Sequence, residues 1–277
     1  MYGTLYVAAT PIGNLGDLSA RLAKILSLVD FIAAEDTRVT LKLLNHLGIK
    51  KPLVSYYEHN RVESGERILS RIKSGESCAL VTDAGMPAIS DPGEDLVRLC
   101  ADAGIEIIVI PGPSAAISAL AVSGLPTGRF TFEGFLSTAK KSRFAHLEEL
   151  KMEKRTMIFY EAPHKLRAAL NDMLEYLGNR RVSISRELTK LHEETMRMTL
   201  QEAVDYYSSL APRGEYVLVI EGAPAEEEPD LNEALRVVAN ALLGGASLKD
   251  AVKLGAERTG VSKNELYDAS LKLKKNG

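Results

Sequence analysis

The chain has only two cysteines, Cys78 and Cys100, both inside apolar runs, so no disulfide framework supports it and both thiols are expected reduced in a core. Its five histidines, His46, His59, His146, His164 and His192, lack the spacing of ligand pairs, and no metal site is expected. No apolar run approaches the ~20 residues that span a bilayer. No basic leader precedes the first strand pattern, so a cytoplasmic protein without a membrane segment is expected. Neither sign of charge is in excess: 34 Lys+Arg against 37 Asp+Glu leave a net charge of −3. That balance excludes a generally basic coat and confines any nucleic-acid contact to a local patch. With 11 prolines and 21 glycines, disordered and fibrous classes are excluded as well.

What is present is 45% apolar residues in 277, enough for about two domains of ~100–200 residues with real cores. The first 118 residues alternate β-branched runs with amphipathic helical runs, the pattern of a parallel sheet covered by helices. Strands are predicted at Leu5–Ala9, Phe31–Ala34, Leu53–Tyr56, Cys78–Thr82 and Ile105–Ile110. Asp17 or Ser19 would cap the first helix, and Asp91 with Pro92 would open the helix that carries Leu96 and Cys100. Residues 119–224 read as a second, mixed αβ domain, with strands at Arg129–Phe135, Thr156–Tyr160, Arg181–Ser185, Thr195–Thr199 and Tyr216–Ile220. A charged, proline-bearing linker at Ala225–Asp230 leads to residues 230–277, whose helical patterns at Leu231–Leu243, Leu248–Thr259 and Ser262–Lys272 form a small helix-turn-helix-like tail. Such a tail serves either packing or nucleic-acid reading.

Ligands of parallel sheets collect beyond the carboxyl ends of the strands, and three unusual loops fall there. Thr10-Pro11-Ile12-Gly13-Asn14-Leu15-Gly16-Asp17 follows the first strand and lacks the G-x-G-x-x-G spacing of dinucleotide binding. After the fourth, Thr82–Gly93 packs two Gly/Pro pairs and two aspartates into a dozen residues, more than a turn requires. After the fifth, Pro111-Gly112-Pro113-Ser114-Ala115-Ala116 opens a helix and presents backbone N–H groups above the sheet.

Together with Ala34-Glu35-Asp36-Thr37-Arg38, Glu133–Leu136, Phe159–His164, Arg186–Glu193 and Gly214–Val217, these loops resemble the bacterial small-subunit ribosomal RNA 2′-O-methyltransferase I family over nearly the whole chain. The resemblance implies a tetrapyrrole-methylase-like α/β fold of two αβ domains with S-adenosylmethionine in the cleft between them, and a homodimer. It implies as substrate the 2′-hydroxyl of a decoding-region cytidine in 16S rRNA, within the small ribosomal subunit. Carried over by position, Pro11, Ile12 and Gly13 would border the cofactor, and Asp83, Ala84, Gly85, Met86, Pro87 and Ile89 would offer it backbone groups. Ser114, Ala115, Tyr160, Glu161, Leu188 and Tyr216 would complete the cleft. Where tetrapyrrole relatives carry Gly-Asp-Pro this chain has Gly85-Met86-Pro87, so no carboxylate acts at that position.

A ribose hydroxyl is a poor nucleophile while protonated, so a nearby base is useful, typically contributing ~10²–10⁴-fold. Glu161, ending an apolar strand, is the leading expectation, with Asp36, Glu187 and Lys190 behind it; a structural hydrogen-bond role is the alternative. Arg38, Arg186 and Lys190 are either phosphate contacts or members of internal ion pairs. Lys140, Lys141 and Arg143, with Lys151–Arg155 beyond the same helix, form a basic rim or a solvated face. Phe135, Tyr160 and His164 would stack on a base or pack in the core. Two other functions fit parts of the pattern: a tetrapyrrole methylase, and a non-enzymatic nucleic-acid-binding regulator built around the tail.

Overall fold

The computed structural model describes residues 1–224 and 230–275. Residues 225–229 of the expected linker, and the last two residues, lie outside the described part. Five parallel strands form the first sheet: β1 (Thr4–Ala8), β2 (Phe31–Ala34), β3 (Leu53–Ser55), β4 (Cys78–Val81) and β5 (Glu106–Ile110), in the order β3-β2-β4-β1-β5. Alternation along β1 sends Leu5 and Val7 to one face and Ala8 to the other. Helices α1 (Ala20–Leu28) and α2 (Thr37–Leu47) cover the Ala8 face through Leu22, Leu26, Leu43 and Leu44. Helices α3 (Arg61–Lys73) and α4 (Glu94–Asp102) cover the other face through Ile68, Ile72, Leu96 and Cys100. Ser19 is the cap of α1, accepting from Leu22 N at 3.0 Å.

The second sheet, β6-β7-β10-β8-β9, is mixed: β6 (Phe130–Phe135) and β7 (Thr156–Glu161) run parallel, whereas β8 (Arg181–Arg186), β9 (Glu194–Thr199) and β10 (Tyr216–Ile220) join by antiparallel pairing. Helices α6 (Lys140–Glu149), α7 (Leu166–Leu177) and α8 (Leu200–Ser209) bury one face of it. The other face is covered by α5 (Ala115–Val122), whose Ala116, Ala119 and Leu120 pack on Ile158, Val217 and Val219. The predicted boundary between residues 118 and 119 therefore falls inside α5. This helix follows the first sheet in sequence but packs against the second, and residues 1–223 make one compact unit. Arg197 of β9 ties the far end of α5, donating to the carbonyls of Val122 and Ser123.

The second unit comprises α9 (Leu231–Leu243), α10 (Leu248–Thr259) and α11 (Lys263–Lys275). Asp230 caps α9 and Ser247 caps α10, a left-handed Gly260 ends α10, and Ala234, Val238, Val252 and Leu266 form its own small core. Among the described residues no helix is long and apolar enough to cross a membrane.

Candidate active site

The three unusual loops meet because β4, β1 and β5 are neighbours. Thr10 and Gly85 exchange two backbone hydrogen bonds of 2.9 and 3.1 Å, fastening the loop after β1 to the loop after β4. Gly85 holds φ +86°, a conformation that disfavours any side chain. Beyond these loops lies a cavity of about 480 Å³, within the ~300–1,000 Å³ usual for small-molecule sites. Ile12, Ala84, Gly85, Met86, Ile89, Ser90, Asp91, Ser114 and Ala115 line it from the first sheet's loops; Phe135, Tyr160–His164, Ser185, Leu188 and Glu215–Val217 line it from the second sheet. Two of its walls are strained, with positive φ at Ala88 and Ser90 on one and at Glu187 and Thr189 on the other. Such strain concentrates at functional sites.

Local chemistry sets the polar groups. The α5 N-terminus enters the cavity without a side-chain cap from Ser114, and only Ala116 N is engaged, by the Tyr160 hydroxyl at 3.2 Å. Glu161 is 4% exposed, and its hydrogen bond is to the adjacent Ala162 N, at 2.8 Å. Burial pushes its pKa up. Asp91 is raised to about 6 by burial and then by the charge of Glu35. It does not open α4 as predicted: Gly93, at φ 150°, is the N-cap, and Asp91 turns into the cavity instead.

The remaining expected residues distribute unevenly. Ile12, Ala84, Gly85, Met86, Ile89, Ser114, Ala115, Tyr160, Glu161, Leu188 and Tyr216 come together around this cavity. Pro11, Gly13 and Asp83 line a second, adjacent one, and Pro87 is buried and lines neither. Asp36, expected as a base, instead caps α2 and pairs with Arg38 at 2.6 Å, and the Arg38 hydrogen bond holds its pKa down to about 2. Glu187 is lowered by its bond from Lys190. Burial works to lower Lys190, but its bonds to Glu187 and Glu215 outweigh this and raise it, which disfavours the free amine. These three groups are committed to partners in a way that Glu161 is not.

Of the expected RNA contacts, Arg143 instead closes a mostly buried ion pair with Asp172 at 2.6 Å and also donates to Ser137 O. Arg186 faces Glu194 at 3.6 Å, while Arg38, paired as it is, leaves its side chain 87% exposed. Lys140 and Lys141 are exposed, Lys140 lying 5.1 Å from the Phe144 ring centre. Sequence reasoning missed Asp91, Ser185, Glu215 and Val217 as lining residues. The Ser90-Asp91-Pro92-Gly93 and Gly214-Glu215-Tyr216-Val217 motifs were the available signal.

Asp91 carries a stability consequence. Its folded pKa lies above the ordinary aspartate value of 3.8, so the folded state keeps the proton that the unfolded chain releases. The stabilisation is full below about pH 4 and is lost as pH rises through about 6. Asp91→Asn is therefore expected to stabilise the unliganded protein at pH 7.5 by about 2 kcal/mol, or roughly 5 °C in Tm. The gap to the parent should narrow as pH falls below about 6 and close only below about pH 4 in thermal melts. A gap independent of pH would contradict this origin. The lowered carboxylates Asp36 and Glu153, both near 2, titrate below that window.

Comparison with known proteins agrees with this geometry. Residues 4–204 match the family described as Tetrapyrrole (Corrin/Porphyrin) Methylases, and residues 228–274 match the RsmI C-terminal HTH domain. A "Ribosomal RNA small subunit methyltransferase I" from Synechocystis sp. is 48% identical over 99% of this chain and 100% of its own. The protein of that name from Halalkalibacterium halodurans is 50% identical over 96% of this chain and 94% of its own. Among solved structures, the methyltransferase CobJ aligns with TM-score 0.60 at 19% identity over 82% of this chain and 97% of its own, which speaks to the fold alone. Uroporphyrin-III-C-methyltransferase from Thermus thermophilus aligns with TM-score 0.56 at 17% identity, covering 79% and 94%. The loops that build the cavity and the helices of the tail both lie within these matches, and the chain belongs to the ribosomal RNA small subunit methyltransferase I family.

Proposed function

We propose that this protein methylates the ribose 2′-hydroxyl of a cytidine in the decoding region of 16S rRNA, using S-adenosylmethionine, and that it works in the cytoplasm as a homodimer on the small ribosomal subunit. The observation that carries the cofactor half is the cavity's donor set: two raised carboxylates, Glu161 and Asp91, beside an uncapped helix N-terminus. Those groups suit a ligand that bears positive charges and one carboxylate. The apolar faces of Ile12, Met86, Leu188 and Val217 suit its adenine. When bound, S-adenosylmethionine supplies a methyl group already activated on a sulfonium, so the chain's task is largely placement of the acceptor. The α5 N-terminus would hold the cofactor carboxylate, and Glu161 and Asp91 would face its cationic groups. Tyr160, bonded to Ala116 N, fixes the distance between α5 and β7. The substrate half rests on the family's full-length relatives and on the tail.

The test is incubation of purified protein with methyl-labelled S-adenosylmethionine and small subunits lacking the modification, followed by alkaline hydrolysis and mapping. One labelled cytidine with a hydrolysis-resistant 3′ linkage is expected. Label on a base, or transfer to a tetrapyrrole and none to RNA, would refute the assignment.

A further inference from the structure

Beside the main cavity is a second, of about 310 Å³, and the two share Ile12, Ala84 and Glu215 as lining residues. We propose that this second cavity receives the acceptor: one pyrimidine ribonucleotide turned out of its RNA strand. The inference rests on the function proposed above.

Three observations carry it. A nucleophile must come within ~3–3.5 Å of the carbon it attacks, so the acceptor cavity has to abut the donor cavity across a thin wall. Ile12 and Ala84 are such a wall, because the loops that hold them are clamped together by the Thr10–Gly85 backbone pair. The chemistry of the two spaces also differs. The first holds raised carboxylates without a cation on its lining and suits a cation. The second, although Asp83 and Glu215 line it, adds Lys190, bonded to Glu215, and Lys42 on its rim, together with Thr40 and with Thr10, whose hydroxyl donates to Thr82 O at 3.1 Å and can still accept. Thr40 is only 3% exposed yet lines the space, so its hydroxyl is a protected partner for a polar ligand. That is the set a phosphate and a polyhydroxyl sugar require. Finally, Leu15, 46% exposed, and Val39 give the same space an apolar side against which a base can lie. Its volume, near the ~300 Å³ lower end of ligand pockets, admits one nucleotide rather than a strand. Asp83, on the same lining, already accepts from Asp36 N at 3.1 Å through one carboxylate oxygen and would have the other for a ribose hydroxyl.

The test uses the full-length protein saturated with S-adenosylhomocysteine. It is titrated with cytidine 5′-monophosphate, then irradiated with a decoding-region RNA that carries 4-thiouridine at the target position. The expected cross-link lies in residues 10–15 or 37–43. Lys42→Glu should weaken cytidine monophosphate binding tenfold or more, and so should Thr40→Leu, which fills the space. Both variants should keep S-adenosylmethionine affinity within twofold. Lys42 is exposed, so its variant reads the site even where Thr40→Leu fails to fold. A cross-link elsewhere, or unchanged nucleotide affinity in Lys42→Glu, overturns the proposal. A parent that binds cytidine monophosphate here but labels no ribose sinks the function and leaves the cavity assignment standing.

Discussion

Glu161→Gln is expected to bind S-adenosylmethionine at least ~30-fold more weakly than the parent, while its unliganded form melts at a higher temperature. The two effects share one cause. Glu161 is buried and hydrogen-bonds the backbone beside it, so its charged form is disfavoured and its pKa rises. Glutamine keeps the acceptor for Ala162 N and removes that unfavourable charge. A cationic ligand restores value to the carboxylate, and losing one partner of a buried charge pair costs ~2–5 kcal/mol. At ~1.4 kcal/mol per tenfold, the lower limit is the ~30-fold stated. S-adenosylhomocysteine, which lacks the sulfonium charge, should be affected less. In the parent, affinity should fall as acid protonates Glu161, and in the glutamine variant that dependence should flatten. Calorimetric titration of both ligands across pH, with melts of the free proteins, checks all of these. Equal weakening of both ligands would assign Glu161 to a neutral hydrogen bond instead.

Gly13→Val is expected to lower kcat/KM by about 100-fold while S-adenosylmethionine affinity stays within threefold. Gly13 holds φ +147°, and a Cβ there would sit 2.5 Å from Lys190 Cγ and 3.2 Å from Thr189 Oγ1. The Lys190 stem thus lies on a surface that exists only because Gly13 has no side chain. The Lys190 amine, 2.8 Å from Glu187 and 2.9 Å from Glu215, fixes the edge of the wall between the two cavities. Displacing the stem moves that edge, and a shift near 1 Å can cost ~10²-fold. Gly13 does not line the main cavity, so cofactor affinity should be spared. Adding Lys190→Ala to Gly13→Val should cost less than the two single losses combined, since the shortened side chain clears the Cβ. Full additivity would show that the strained φ alone is responsible.

Much of the first sheet was legible because each of its strands is a short apolar run between helical periods, and the edges differ from expectation by one residue. The tail was legible from its helical periodicity, and the structure adds Asp230 and Ser247 as the caps that start its first two helices. The destination of α5 was not. Its Ala116, Ala119 and Leu120 spacing signals a buried face but cannot say which sheet buries it, since that depends on contacts with strands 40 to 100 residues later. Asp91 misled for a related reason: an aspartate before proline is a good helix start, and only the positive φ of Ser90 and the Gly93 cap turn it elsewhere. The motif residues around the cavity were found through resemblance, whereas Ser185 reaches it through its antiparallel pairing with Val217, a register that no local pattern encodes.

The path of α5 bears on how such a chain can be recombined. A hybrid joined between residues 124 and 130 would take its last leading helix from one parent and the sheet beneath it from another, mismatching Leu120 against Val217 and leaving the Arg197 clasp without its own carbonyls. Crossover just ahead of Pro111 keeps the helix with its true bed, so the natural seam of this protein precedes its apparent one.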